Sequence, residues 1–464
     1  MREAQELKAA GRLEEAIGRY GEAVAANPNS GVAEHNLAAA LGDAGRWTEA
    51  EPHIQAAFRK GIDAPETWLV LARCGQALGR LDASETAFRE AIKRRAGMYD
   101  AQRELAQLIW MRSGDVEAAL KELDATIRTT PASVQLAVIK CQTLEFAGRA
   151  DEALALMTGM SAANPGLAST AVYAAQLATG LQKSDEALAF AERAYAIAPQ
   201  EMSVQVTLTE ALLAAGQPQR ASDIASNMRR RWSTNQHAIA LQATAWRMLG
   251  DARYRDLYDY DAFVWSSLLD TPPGWPSLET YVADVAAALR ALHTYREHPF
   301  NQSLRHGSQA TDILQQSHPA LRALPTALDG PIQRRLAELG HGDDPVRSRN
   351  KGNYQFQGMW SVKLRSGGYH IDHVHPQGWL SSACYIETVE PRDKEGWIRF
   401  GQPGVKTIPP LAAEHFVEPK PGLLVLFPSY MWHGTVPFTG DQSRLTFAFD
   451  LVPAADTSEE EVED

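Results

Sequence analysis

The 464-residue sequence predicts a multidomain chain of α and β parts: an N-terminal α-solenoid, then a double-stranded β-helix (jelly-roll) with supporting helices. Three observations predict it. A glycine position recurs every 34 residues through the first half, which is the mark of stacked helical hairpins. From Tyr354 onward, short extended runs alternate with Gly and Pro clusters, the grammar of an all-β domain. Within that second part lie His373-Val-His375, a distant His433, and Arg444 eleven residues beyond it. That pattern brings metal-ligating side chains and a strand-borne cation into one β domain.

The repeat is read from Gly11, Gly45, Gly79, Gly114, Gly148, Gln182, Gly216 and Gly250. Five residues after seven of these come Ala16, Ala50, Ser84, Ala119, Ala153, Ala187 and Ala221, and seventeen after four of them come Pro28, Pro131, Pro165 and Pro199. Small residues let two antiparallel helices approach, Gly permits the tight turn between them, and Pro stops the second helix. The pattern resembles the tetratricopeptide repeat and defines an expected domain at 1–255. Gln182 and Pro218 depart from it, and the short first helix suggests an array that begins inside a repeat, as in an N-terminally clipped chain. Such arrays bury their core only by stacking neighbours and present a concave face that binds protein or peptide segments. The bland alternative is a scaffold or dimerisation arm.

Composition narrows the partners. A net charge of −12 and a pI of 5.6 argue against binding nucleic acid or anionic membranes, because both need a basic face. Cys74, Cys141 and Cys384 are odd in number and widely spaced, so they suggest a reducing compartment rather than a disulfide framework. The N-terminus is charged where a signal peptide is apolar, and no apolar run is long enough to span a bilayer. The expected location is cytoplasmic.

The second domain is expected at 256–455, with helical support at 256–350 and the jelly-roll at 351–455. Thr271-Pro-Pro-Gly-Trp-Pro276 breaks any helix, Ser277–Arg296 is amphipathic, and residues 311–340 continue as helices. Between them, His298–Gln309 is polar without a clean period and is expected to be a loop lining the site. Expected strands are Phe356–Leu364, His370–His375, Ser381–Glu387, Trp397–Phe400, Leu423–Phe427 and Leu445–Val452. Residues 456–464 form an acidic tail expected to be disordered.

In an extended strand, alternate side chains share a face, so His373 and His375 can point at one spot. With His433 and the later strand Arg444, they form the linear signature of a non-haem iron oxygenase barrel. Further residues carry a family resemblance: Pro299-Phe-Asn-Gln-Ser-Leu-Arg305, Gly378-Trp-Leu-Ser-Ser-Ala-Cys-Tyr-Ile386, Gly396-Trp-Ile-Arg-Phe-Gly401 and Leu426-Phe-Pro-Ser-Tyr-Met-Trp-His-Gly-Thr-Val-Pro-Phe438. Together they resemble 2-oxoglutarate- and iron(II)-dependent oxygenases that carry N-terminal tetratricopeptide repeats, distantly similar to prolyl hydroxylases. The resemblance implies a dioxygenase, or hydroxylase, with Fe(II), 2-oxoglutarate as cosubstrate and ascorbate as a supporting reductant.

Ferrous iron in such a site takes three protein ligands on one octahedral face, which His373, His375 and His433 can supply. The usual triad holds a carboxylate, and His370-Ile-Asp372 offers a competing register with Asp372 as the fallback ligand. His375 would then be a donor behind the ligands. Arg444 suits the distal carboxylate of 2-oxoglutarate because its guanidinium is a bidentate fork. Thr446 shares its strand face and Tyr385 offers a further hydrogen bond. The alternatives are an exposed Arg444 paired with Asp441 and a Tyr385 that merely packs. A cupin-like metalloenzyme that does not use 2-oxoglutarate, and a catalytically silent scaffold, stay open as readings of the whole chain.

Overall fold

The computed structural model describes residues 2–390 and 392–454, so the acidic tail lies outside the described residues. Its helices and sheets group into two compact units, Met1–Arg149 and Ala150–Asp464. Helical hairpins run from Arg2–Ala9 to Gln236–Leu249, and the small residues of the repeat explain them. Ala16, Ala50, Ser84, Ala119, Ala153, Ala187 and Ala221 are each at most 3% exposed, because helix backbones pass there without room for a longer side chain. Each turn needs a left-handed residue. The recurring glycines sit at φ between 67° and 77°, and Gln182 adopts φ 60° in the same place, so the departure in sequence is absorbed by an unusual backbone for a non-glycine. Pro218 opens its helix at the first turn, where a missing N–H costs nothing.

The β domain holds nine strands among the described residues: β1 Trp265–Leu268, β2 Leu304–Ala310, β3 Gln355–His370, β4 Leu380–Glu387, β5 Ile398–Phe400, β6 His415–Val417, β7 Leu423–Pro428, β8 His433–Thr435 and β9 Arg444–Val452. Six form an antiparallel sheet in the order β1-β7-β4-β9-β3-β2, and three form a second sheet in the order β6-β5-β8. Helical repeats followed by an antiparallel β domain is the class the sequence predicts. Two expectations are corrected. The strand expected over His370–His375 ends at His370 and leaves the histidine pair in the following connection. The supposed loop His298–Gln309 contains β2, an edge strand paired with β3. Close approach is built into it, since a Cβ on Gly307 would lie 2.5 Å from the Lys363 carbonyl. β1, at the other edge, was not anticipated.

Within the second unit the last repeats seat directly on the β domain. Arg247 donates to the carbonyls of Gly401 and Ala412 at 2.8 and 2.9 Å. The Tyr258 hydroxyl donates to the Tyr430 carbonyl, and the Tyr430 hydroxyl to that of Leu257, both at 3.0 Å. Glu414 accepts from the hydroxyls of Tyr254 and Tyr260 at 2.5 and 2.9 Å. These contacts satisfy buried polar groups that would otherwise cost about 1–3 kcal/mol each.

Candidate functional site

Backbone pairing, rather than strand alternation, gathers the histidines. His373 and His433 exchange N–H to carbonyl bonds at 2.9 and 3.1 Å as an isolated bridge, and the His375 N–H donates to the Ser429 carbonyl at 3.0 Å. One ring nitrogen from each of His373, His375 and His433 lies within 4.8 Å of the others. Each ring is also oriented from behind. Nδ1 of His373 donates to the Ile371 carbonyl at 2.8 Å, Nδ1 of His433 to the Met431 carbonyl at 2.9 Å, and Nδ1 of His375 to the Asp450 carboxylate at 2.7 Å. With acceptors at all three Nδ1 atoms, the protons sit there and every Nε2 keeps its lone pair. That is the tautomer a metal requires. Burial holds the His373 pKa down to about 3 and that of His433 well below its usual value, with the neighbouring histidines pushing the same way. The rings of His373 and His433 are therefore neutral, as ligation demands. Nitrogens bound to one ion at about 2.1 Å sit roughly 3 Å apart, so a metal would draw the cluster inward.

The competing register is not assembled. The Asp372 carboxylate is buried against Arg399, which donates from Nε at 2.9 Å and from Nη2 at 2.7 Å, and it accepts from Gln402 at 2.8 Å. His370 faces the Ser303 hydroxyl at 2.9 Å. Neither belongs to the three-histidine group. Asp372 instead fills space that Gly434 leaves open, since a Cβ there would lie 2.5 Å from its Oδ1.

Arg444, Tyr385 and Thr446 do come together. Tyr385 on β4 is the cross-strand partner of Thr446 on β9, and Arg444 lies on the same face two residues earlier. Arg444 is only 3% exposed, with its guanidinium 5.0 Å from the centre of the Tyr385 ring, so it is not the exposed partner of Asp441. Arg444 Nε and the Tyr385 hydroxyl are buried without hydrogen-bond partners among the described residues. Burial raises the Tyr385 pKa to about 12 and lowers that of Arg444. A buried cation beside an orphaned hydroxyl is costly unless an anion with acceptor oxygens completes it. The Thr446 hydroxyl makes only a long 3.4 Å contact to the Val362 carbonyl.

Asp450 was missed in the sequence, although β9 alternation aligns it with Arg444 and Thr446. It also accepts from the Ser381 hydroxyl at 2.6 Å. Trp360 stacks on His375 with ring centres 5.8 Å apart. Trp379 is core, whereas Trp432 donates to Thr244 Oγ1 of the last repeat helix at 2.9 Å. A cavity of about 370 Å³ opens at His373 between Trp432, Val374 and the repeat helices.

A three-histidine cluster in an antiparallel β domain, joined to helical repeats, thus defines a candidate metalloprotein. Comparison with known proteins narrows this. Residues 358–450 match the family model described as "Putative 2OG-Fe(II) oxygenase", and residues 1–65, 35–85 and 76–134 match that of the tetratricopeptide repeat. The chain therefore matches the tetratricopeptide-repeat model in its N-terminal part and the "Putative 2OG-Fe(II) oxygenase" model behind it. No curated protein matched the chain. Similar solved structures include the C-terminal part of a TPR repeat-containing protein from Cytophaga hutchinsonii (16% identity, 52% of this chain and 98% of that one, TM-score 0.39). A tetratricopeptide repeat protein from Parabacteroides merdae is another (16%, 53% and 96%, TM-score 0.38), as is a thermophilic TPR protein from Thermus thermophilus (21%, 40% and 100%, TM-score 0.31). No helix is long and apolar enough to cross a membrane among the described residues.

Proposed function

We propose that the chain is a non-haem iron(II), 2-oxoglutarate-dependent dioxygenase that hydroxylates a protein or peptide substrate recruited by its repeats. The observation that carries the reading is the pairing of two prepared sites: three histidines anchored through Nδ1, and an orphaned Arg444 and Tyr385 nearby. His373, His375 and His433 would hold iron, with Asp450 steering His375 from behind. Arg444 would clamp the distal carboxylate of 2-oxoglutarate, helped by Tyr385 and Thr446, since an anion there satisfies both buried orphans. When bound, iron with 2-oxoglutarate would supply the chemistry that uses dioxygen as oxidant, one oxygen atom going to the hydroxylated C–H bond and the other to succinate as 2-oxoglutarate loses carbon dioxide. The protein's own share is to bind, orient and keep water out. Trp360 covers His375, and the neutral imidazoles leave the metal's charge to be balanced by the dianionic cosubstrate.

The fold in this reading is a double-stranded β-helix over 351–455 with support from 256–350, functionally distinct from repeats at 1–255. The buried cysteines Cys74, Cys141 and Cys384 suit a reducing, cytoplasmic setting, and ascorbate as a supporting reductant rests on the family resemblance. The test is anaerobic Fe(II) titration of wild type, His373→Ala and His433→Ala by calorimetry, with succinate assayed in air. Both variants should lose most of their metal affinity. Retained affinity in folded variants rejects the centre, and metal binding without succinate turns the reading toward a cupin-like enzyme.

A further inference from the structure

The cavity at His373 is walled on one side by the repeats themselves. Gln176 comes from the helix Ala168–Gly180, Glu210 from Met202–Ala214 and His237 from Gln236–Leu249; Lys406 faces them from the connection between β5 and β6. Gln142, Gln176, Glu210 and Thr244 occupy one place in four successive 34-residue units. In the last unit that place is used to hold the β domain, through the bond from Trp432 to Thr244. In the two units before it, the same place lines the cavity. Gln176 uses its amide N–H on Thr207 Oγ1 at 3.3 Å, which leaves its carbonyl oxygen as an acceptor. Glu210 Oε1 is 3.1 Å from His237 Nε2, yet that nitrogen is not aligned for a hydrogen bond with any partner. Among Glu210, Asp372, Lys406 and the Arg399 bound to Asp372, the charges cancel when histidines are counted as neutral. The sum is zero, but the poles are separate, with acceptors on the repeat wall and a cation on the β wall.

We propose that this cavity takes one residue of an extended, uncharged polypeptide segment. Its peptide N–H would meet Gln176 and Glu210, its carbonyl would meet Lys406, and its side chain would lie along Val374 toward His373. A peptide group is itself a donor on one side and an acceptor on the other, which is the polarity of the two walls. A charged side chain would meet a like charge on one of them. About 370 Å³ is at the low end of ligand sites, which run roughly 300–1,000 Å³, so it suits a short stretch of chain rather than a folded surface. Calling the occupant a substrate rests on the oxygenase reading; its binding does not.

The probe is an immobilised library of acetylated, amidated ten-residue peptides, degenerate at all but one position, bound by the full chain in excess EDTA. Wild type should enrich uncharged residues at the fixed position. Lys406→Met should shift selection there toward basic residues by about tenfold, and Glu210→Gln toward acidic residues by a similar factor. Gln176→Ala should weaken all peptides alike, with circular dichroism establishing that each variant is folded. Absence of selection by wild type, or shifts that are missing or run in the same direction in the two charge variants, overturns the proposal. Because no iron is present, intact selection without succinate formation in air rejects the oxygenase reading alone.

Discussion

Asp450 offers the sharpest test of the metal centre, because it touches the cluster only through His375. Its Oδ2 accepts from His375 Nδ1 at 2.7 Å and its Oδ1 from the Ser381 hydroxyl at 2.6 Å. Asp450→Ala removes the anion, the acceptor that fixes the tautomer, and the support for the ring. A charge-assisted hydrogen bond of this kind is worth about 1.5–3 kcal/mol, and loss of such a group behind a ligand typically costs 10–100-fold in metal affinity. Asp450→Asn separates the contributions. Its amide oxygen can still accept from Nδ1, while its NH₂ can donate to Ser381 Oγ, which in turn faces Ser429 Oγ at 2.8 Å. Shape and tautomer survive and only the charge is lost, so Asn should fall between wild type and Ala, with a loss nearer tenfold. The assay is competitive titration with a metal-sensitive chelator at pH 7.5, with Co(II) as an air-stable probe beside Fe(II). Affinity unchanged in Asp450→Ala would refute the reasoning, as it would mean that His375 is neither held by Asp450 nor needed by the metal.

Arg444→Ala should raise the apparent KM for 2-oxoglutarate by about thirtyfold or more, because a buried charge-assisted contact is worth roughly 2–5 kcal/mol. Arg444→Lys should recover only part of this, and succinate formation against 2-oxoglutarate concentration reads both. Asp372→Ala should keep near-normal metal affinity but lose about 3–5 kcal/mol of stability in urea unfolding, since it strands Arg399 without its partner. Abolished metal binding in the folded variant would restore the His370 and Asp372 register. His293 makes contacts of 2.9 and 3.0 Å with the hydroxyls of Ser308 and Ser361, and burial lowers its pKa to about 4. The unfolded chain titrates near 6.5 and takes up the proton first, so this contribution is full above that pH and shrinks toward pH 4 by up to about 3 kcal/mol. Urea unfolding of the metal-free protein from pH 7.5 to 4.5 should show that slope reduced in His293→Gln; an equal slope in both places the acid sensitivity elsewhere.

The repeats were legible because each unit restates the same steric requirement. Ala153 or Ala187 has one role, and phase alone reveals it. The three histidines were legible as a set but not by the mechanism expected. Two-residue spacing suggested a strand, whereas the chain leaves β3 at His370 and is clamped to Ser429 and His433 by backbone bonds that no side-chain pattern records. Asp372 was ambiguous because a carboxylate next to a ligand looks the same whether it faces a metal or Arg399, 27 residues away. β2 and β1 escaped notice because edge strands with one wet face lack a hydrophobic alternation strong enough to read. The cavity wall was out of reach for a different reason: Glu210 and Lys406 meet only through the docking of separate elements.

That docking changes how the repeat array should breathe. Repeat proteins open as near one-dimensional chains, each unit held by its neighbours, so an end with no neighbour frays first. Here the hairpins after Ala150 end not in a cap but on Trp432 and Glu414, which pin the last helix through Thr244 and Arg247. Amide exchange should therefore slow progressively toward Gln236–Leu249. A ligand gripped between Glu210 and Lys406 would extend that protection back to Ala168–Gly180, so that occupancy of the cavity is felt as stiffness two repeats from the docked helix without any repeat changing shape.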